Sequence, residues 1–320
     1  MNKPKILVVG SIYMDLVMHG VEREPKTGES VYCNSYQYAT GGKGSNQAYA
    51  AAMLGADTSL VGRIGTDENG KRILEQLYKA EVKTEYVVTD PEHLTGLSTM
   101  NIYPDGTYFS IGATGANQYI SPEDVKKALD AEPFEMVLMQ LEMPLETVYA
   151  TYEMAKERGI PVFLDAGPAM RIPLDRLKGI FILSPNEAEA EAMTGIRPDT
   201  EAHILETAET LYEEAKPQYV ILKLGKRGAF LYDGKEGQLI EGFRVPAVDS
   251  TAAGDTFGAA LAVRYCKGSS IEEAIRFGHA AAAICVTREG GQISIPSAEE
   301  AFWFYEEKTG RKVGMSNDNQ

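Results

Sequence analysis

Short apolar runs punctuate the chain at residues 5–9, 58–62, 136–141, 161–164, 180–183 and 219–224, with longer helical stretches between them. The runs are rich in Val, Ile and Leu, and each predicts a strand. Strands that alternate with helices in this way build a parallel sheet covered by helices on both faces, an α/β fold. The helical stretches have legible ends. Ser121-Pro122-Glu123-Asp124 supplies a capping hydroxyl, a proline at the first helical position and acids in the first turn. The Ala-rich stretch from Asn46 to Leu54 stops at Gly55, and Asn186 to Thr194 stops at Gly195. Glycine just past the last turn is a common helix end.

Two segments break the alternation. Residues 12–19 and 30–39 read as strands, the second with Val31, Cys33, Ser35 and Gln37 on one face and Tyr32, Asn34, Tyr36 and Tyr38 on the other. Residues 97–111 read as a hairpin turning at Pro104-Asp105-Gly106. A small sheet made from these insertions beside a parallel core predicts a lid over an active site; the alternative is that they extend the main sheet. No internal repeat is visible. The expectation is one catalytic domain over 1–308, lidded by about 12–40 and 97–111, with a polar, frayed tail at 309–320.

Composition narrows the function. The chain has 320 residues, 44% hydrophobic and 24% charged, in keeping with an ordinary globular protein. Its formal net charge is −15 with no block of Lys or Arg, which argues against nucleic-acid and anionic-membrane partners. The apolar run Ile6-Leu7-Val8-Val9 is too short for a signal-peptide core or a membrane span. Cys33, Cys266 and Cys285 form no CxxC pair, so a disulfide or zinc framework is not expected and a reducing cytoplasm fits.

Three strings carry chemistry. The first is Asp249-Ser250-Thr251-Ala252-Ala253-Gly254-Asp255-Thr256-Phe257, ahead of an Ala-rich helix. Small residues at a helix start leave backbone N–H groups free to face an anion. Asp255 in that first turn would have its carboxylate favoured by the helix dipole, and an ionised carboxylate beside a phosphate pocket can activate a hydroxyl. An acidic cap after a small-residue turn is the plainer reading. The second string, Gly41-Gly42-Lys43-Gly44-Ser45-Asn46-Gln47, would let backbone approach a polar ligand while Lys43 and Asn46 offer donors, or would simply make a tight strand-to-helix turn. It is not a Walker A loop, and the protein-kinase HRD and DFG motifs are missing. The third is Gly10-Ser11-Ile12-Tyr13-Met14-Asp15, which puts Asp15 at the C-terminal end of the first strand, where open α/β sheets bind ligands.

Together these strings resemble the ribokinase family of carbohydrate kinases, also called the PfkB family. GGKGSNQA looks like one family signature and DSTAAGDTF like the other, with Ser184 to Glu189, Lys223 to Gly228 and Val286-Thr287 in the family's order. The resemblance runs from residue 5 to about residue 300. It implies a ribokinase-like three-layer α/β/α fold with a mainly parallel central sheet and a small β-sheet lid. The implied reaction is phosphoryl transfer from ATP, as co-substrate with Mg2+, to a ribose-like sugar. By resemblance Asp255 is the base, and the backbone of Ala252, Ala253 and Gly254 is the anion hole. Asp15, Gly42, Lys43, Asn46 and Glu142 (taken as ending a strand from Met136 to Leu141) would hold the sugar. Asn186 and Glu189 would organise the magnesium-phosphate group through water. The nucleotide would lie along 223–228, with Lys223, Gly225 and Gly228 beside it and His279 near the adenine. A potassium-like ion would sit at Asp249, Thr251, Cys285, Arg288, Gly290 and Ser294, several through carbonyls, since oxygen-rich loops suit a hard cation. The lid would also join two chains as a homodimer.

Three positions depart from the family pattern. Tyr13 stands where ribokinases usually carry an asparagine that reaches a ribose hydroxyl, which leaves open 2-deoxyribose, another pentose, a hexose or a nucleoside. Lys223 stands in place of a usual threonine and either adds a phosphate contact or faces solvent. Asp165 stands where asparagine is common, near the magnesium position. A non-catalytic sugar or nucleotide sensor is the reading from another class, and it has no need of a base at Asp255.

Overall fold

The computed structural model describes residues 3–105 and 107–311. Its strands are β1 (Lys5–Val9), β2 (Tyr13–His19), β3 (Ser35–Gly41), β4 (Asp57–Gly65), β5 (Val87–Asp90), β6 (Gly96–Ile102), β7 (Tyr108–Ala113), β8 (Met136–Met139), β9 (Val162–Asp165), β10 (Ile182–Ser184), β11 (Tyr219–Lys223), β12 (Ala229–Tyr232) and β13 (Gly237–Ile240). The helices are α1 (Lys43–Met53), α2 (Glu68–Lys79), α3 (Pro122–Ala131), α4 (Leu145–Glu157), α5 (Glu187–Thr194), α6 (Glu201–Ala215), α7 (Ala253–Cys266), α8 (Ile271–Cys285) and α9 (Ala298–Thr309).

Among the described residues, nine strands form the large sheet in the order β13-β12-β11-β10-β9-β8-β1-β4-β5. From β5 to β11 every pairing is parallel, and β12 and β13 add antiparallel edge strands. Successive strand residues point to opposite faces, so an apolar run buried on both sides feeds two cores. Ile6, Val8, Leu138, Phe163 and Ile221 pack with residues of α1, α2, α7, α8 and α9. Leu7, Val9, Val137, Leu164 and Val220 pack with residues of α3, α4, α5 and α6. Helix ends follow the sequence closely. Ser121 and Asp124 form a reciprocal capping box on α3, Asn186 and Glu189 form one on α5, and Gly195 ends α5 in the left-handed conformation.

The insertions do not extend the large sheet. β3-β2-β6-β7 form a separate four-stranded sheet, β2 pairing antiparallel with β3 and parallel with β6. The strand expected over 30–39 begins only at Ser35, and Val31 to Asn34 are not in strand conformation. The expected turn at 104–106 is held at Asp105, whose carboxylate accepts from the Thr107 amide and hydroxyl at 2.9 and 2.6 Å; Gly106 lies outside the described residues. The helix α9 runs to Thr309, so the first residue of the expected tail is helical, and residues 312–320 lie outside the described residues. No helix among the described residues is long and apolar enough to cross a membrane.

Candidate active site

The C-terminal ends of β1, β8, β9 and β11 meet the first turns of α1 and α7. Lys43 opens α1 behind Gly42, whose φ is +90°. A Cβ on Gly42 would come 2.8 Å from the Ser11 carbonyl oxygen, and one on Gly44 would come 2.4 Å from the Gly10 carbonyl carbon. These glycines are therefore demanded by the close passage of α1 over the β1–β2 corner, the tight strand-to-helix turn that the sequence allowed beside the approach of a ligand. That passage carries Lys43, Asn46 and Gln47 into the centre.

Lys43 Nζ lies 3.5 Å from Asp165, 3.9 Å from Asp255 and 4.0 Å from Glu189. Asn46 Nδ2 donates to Asp255 Oδ2 at 2.9 Å, and Gln47 Nε2 donates to Asp165 Oδ2 at 2.9 Å and Asp255 Oδ1 at 3.3 Å. Gln47 is itself oriented by Gln140, whose Nε2 donates to Gln47 Oε1 at 2.6 Å. Lys223 Nζ is ion-paired with Asp165 Oδ1 and lies 3.7 Å from Glu189 Oε2. Two ammonium groups thus face three nearly buried carboxylates.

Burial decides the electrostatics. Desolvation pushes the Asp255 carboxyl up to about 6, with Lys43 opposing and Asp165 adding to the rise. The helix dipole was expected to favour the ionised form; the loss of water at a nearly buried position outweighs it. Asp165 is held below the usual carboxylate range: burial raises it, and the facing Lys223 and Lys43 more than offset that. Burial likewise pulls the Lys43 ammonium down, while Asp165, Asp255, Glu189 and Glu142 together carry it above the ordinary lysine value.

At the start of α7, Ala252 adopts the left-handed conformation, with φ +61°. The Ala253 amide closes a turn onto the Ser250 carbonyl at 3.2 Å, and the first helical bond runs from the Thr256 amide to the Ala252 carbonyl at 2.8 Å. The Gly254 and Asp255 amides precede that ladder, as helix-start donors do. The Ala253 amide, expected in the anion hole, has an acceptor within the chain.

Two cavities flank this point. One of about 830 Å³ is lined by Tyr13, Asp15, Lys43, Asn46 and Glu142, with Met100 and Tyr108 contributed by the small sheet. Asp15 accepts a hydrogen bond from the Ser98 hydroxyl, and burial raises its carboxyl. Tyr13 is half-buried, its phenol pushed up to about 12 chiefly by desolvation, with Glu142 nearby. Glu142 lies three residues past the end of β8, not at the end of the longer strand expected; its Oε2 accepts from the Ser11 hydroxyl and from the Lys43 amide at 3.0 Å. The other cavity, about 990 Å³, is lined by Gly228, Phe243, Val245, Phe257, His279 and Ala282 among others. His279 faces Ile240 O at 3.1 Å through Nε2, and burial lowers its imidazole to about 4, so it is neutral near pH 7 and donates that bond. Lys223, Gly225, Ser250 and Gly254 line both cavities, while Asn186 lines only the first.

The residues expected to hold a monovalent cation also gather. Asp249 accepts from the Thr251 amide and hydroxyl at 2.8 and 2.7 Å and from the Gly290 amide at 3.0 Å. Ser294 Oγ lies 3.1 Å from Cys285 Sγ and donates to the Gly291 carbonyl at 2.7 Å. One carboxylate among neutral oxygens suits a singly charged ion. Arg288 pairs with Glu300 at 2.6 Å on the surface, so only its backbone is available to such a site. No group of three or more His, Cys, Asp or Glu able to hold a metal occurs among the described residues. Glu189, with its Oε2 taking the Asn186 amide at 2.7 Å, fits Mg2+ held through water, because that ion keeps several waters and needs few protein ligands.

Gln47 and Gln140 escaped the sequence reading, as did Ser98 and Asn117. The Asn117 side chain brackets Ile12, accepting its amide and donating to its carbonyl, both at 2.9 Å. Only Gln47 had a signal, its place one residue after Asn46 in the glycine-rich string.

Comparison with known proteins identifies the family and the fold. The family model described as pfkB family carbohydrate kinase matches residues 3–298. A ribokinase of Haemophilus influenzae is 36% identical over 302 residues, covering 94% of this chain and 98% of that protein. A deoxyribokinase of Salmonella typhi is 32% identical, covering 92% of this chain and 96% of its own length. The structure of Arabidopsis thaliana ribokinase complexed with ribose and ATP superposes with a TM-score of 0.87 at 34% identity, covering 96% of this chain and 99% of that one.

Proposed function

Since the chain belongs to the pfkB family of carbohydrate kinases, we propose that it transfers the γ-phosphoryl group of ATP to the primary hydroxyl of D-ribose, giving ribose 5-phosphate. The observation that carries this is the place of Asp255, in the first turn of α7 between a charged cavity and a largely apolar one. The sugar occupies the first, held by Asp15, Lys43 and Asn46. The nucleotide occupies the second, with its phosphates directed at the Gly254 and Asp255 amides.

Asp255 accepts the hydroxyl proton as the sugar oxygen bonds to the γ-phosphorus and the bond to the β,γ-bridging oxygen breaks, releasing ADP. With a carboxyl displaced to about 6, the base is mostly ionised near pH 7 yet basic enough to take a proton. Asn46 and Gln47 donate to its two oxygens and fix its direction. Lys43 balances the carboxylates while contributing to the sugar side. Magnesium, when bound through water at Glu189 and Asn186, would neutralise phosphate charge. A potassium-like ion at Asp249, Thr251, Ser294 and neighbouring carbonyls would stiffen the loop that sets the start of α7. The four-stranded sheet would close over the sugar and exclude water, a competing nucleophile. Its exposed Tyr36, Tyr38 and Ile111 would pair with a second copy, making a homodimer. The absence of paired cysteines fits the cytoplasm.

A second acceptor is favoured by one observation. Tyr13 brings an aromatic ring into the sugar cavity beside Asp15 and Glu142, which suits a less hydroxylated sugar such as 2-deoxyribose. A coupled assay of ADP release over ribose, 2-deoxyribose, other pentoses, hexoses and nucleosides separates these. Ribose should give the highest kcat/KM; a higher value on 2-deoxyribose moves the assignment to that sugar, and no ADP release on any acceptor refutes the kinase.

A further inference from the structure

Among the described residues, Lys223 is the one ammonium that lines both cavities. It closes β11, and its side chain is 14% exposed. Asp165 holds its Nζ from one side, with Glu189 at 3.7 Å. On the other side lies the start of α7: a Cβ built on Gly254 would come within 3.9 Å of Nζ. An ammonium beside a helix N-terminus is in a field of its own sign. Gly254 and the Lys223 ammonium therefore border the volume where the two cavities meet, and an anion placed there would offset both the ammonium and the helix start. Asp165 serves Lys223 only partly, because the same carboxylate also receives Gln47 Nε2 at 2.9 Å and Lys43 at 3.5 Å. A ligand that spans the two cavities places its own anionic group in that volume.

Resting on the kinase reading and sharpening it, we infer that Lys223 is a γ-phosphate ligand: its ammonium is parked on Asp165 in the free protein and donates to a non-bridging γ-oxygen when ATP is bound. No proton changes hands in this exchange. Asp165 keeps Lys43 and Gln47 when Lys223 leaves, so its charge stays compensated. The ammonium then offsets charge on the γ-phosphoryl group beside the attacking oxygen, where preorganised donors count most. ADP lacks the γ-phosphate, so it has no claim on Lys223.

The test compares two probes, the non-hydrolysable ATP analogue AMP-PNP and ADP, both with Mg2+, titrated calorimetrically into the full chain. Lys223→Met should weaken AMP-PNP binding by about tenfold or more, the usual weight of a charge-assisted hydrogen bond, and leave ADP within about twofold. kcat should fall with it, and Lys223→Arg should restore part of both. Lys223→Met leaves Asp165 short of one cation and could disturb folding, so the pair is also removed together in Asp165→Asn/Lys223→Met. If Lys223 merely neutralises Asp165, the double variant recovers AMP-PNP binding, and the inference is overturned. If Lys223 holds the γ-phosphate, the double variant still prefers ADP relative to the parent protein. Equal losses for AMP-PNP and ADP in both variants likewise overturn it. A parent protein that binds neither probe and phosphorylates no sugar would instead bring down the kinase reading beneath it.

Discussion

The two cavities meet at α7 yet recognise by opposite means. The sugar side is walled by charge, with Asp15, Lys43, Glu142 and Asp255 converging on a space of about 830 Å³. The proposed nucleotide side is largely apolar, with Phe243, Val245, Phe257 and Ala282 on its wall beside a neutral histidine, and its charged groups, among them Lys226, Arg227 and Arg244, come from the loops around them. The charged wall has to hold small polar groups in one orientation, and its carboxylates are therefore tied by donors from distant segments. The apolar wall needs only shape and dryness, and few of its residues could be singled out by chemistry. Orientation is expensive in fixed partners; burial of a flat ring is not.

The largest effect that would test this division is at the base. Asp255→Asn should lower kcat by about 10³-fold while ADP binding, measured by calorimetry, stays within a few-fold of the parent. Activity within about tenfold of the parent, equivalent to about 1.4 kcal/mol of barrier, would remove Asp255 from the mechanism. Next comes the apolar wall. Ala282→Trp fills part of the nucleotide cavity and should raise KM for ATP roughly tenfold, since overfilling costs about 1–3 kcal/mol. Saturating kcat and KM for the sugar should hold; a matching rise in the sugar KM would mean that the cavities are not separable.

Titration sharpens the contrast further. The folded Asp255 carboxyl sits near 6, above its unfolded value of 3.8, so its protonated form is the one the fold favours. Its stabilising contribution is complete below 3.8 and fades as pH rises through 6, whereas catalysis needs the anion. kcat/KM for the sugar at saturating Mg·ATP should therefore fall about tenfold per unit below pH 6. Adenosine affinity should stay flat from pH 5.5 upward, because His279 titrates near 4. An acid limb near pH 4 would contradict the buried-base picture. The smallest expected effect lies at the border between the cavities: potassium chloride should give a several-fold higher kcat than choline chloride at equal ionic strength. Equal rates would take the Asp249–Ser294 cation site out of the account.

How much of this was readable beforehand follows the same division. Apolar runs placed six strands of the large sheet, and capping residues placed the start of α3 and the end of α5, because burial and capping are local demands. The strands β12 and β13 went unread although Asp233-Gly234 between them is a hairpin signal; β5, four residues long, carried too little pattern. Asp255, Lys43 and Asn46 were legible because small residues around them advertise close backbone approach. The roles of Gln47 and Gln140 were not, since the bonds that orient them join residues 93 and 118 positions apart. Lys223 and Asp165 were each noticed as departures, 58 positions apart, and only the fold pairs them.

Ala252 has a further consequence. A residue with a Cβ in the left-handed region stores about 1–2 kcal/mol, and this one sits at the hinge that aims the first amides of α7. Glycine there would relieve that tension and loosen the aim, and valine would find no comfortable torsion at all. Alanine is a compromise between rigidity and strain there, so few other residues should fit this corner even though its side chain is a single methyl at the wall of the charged cavity.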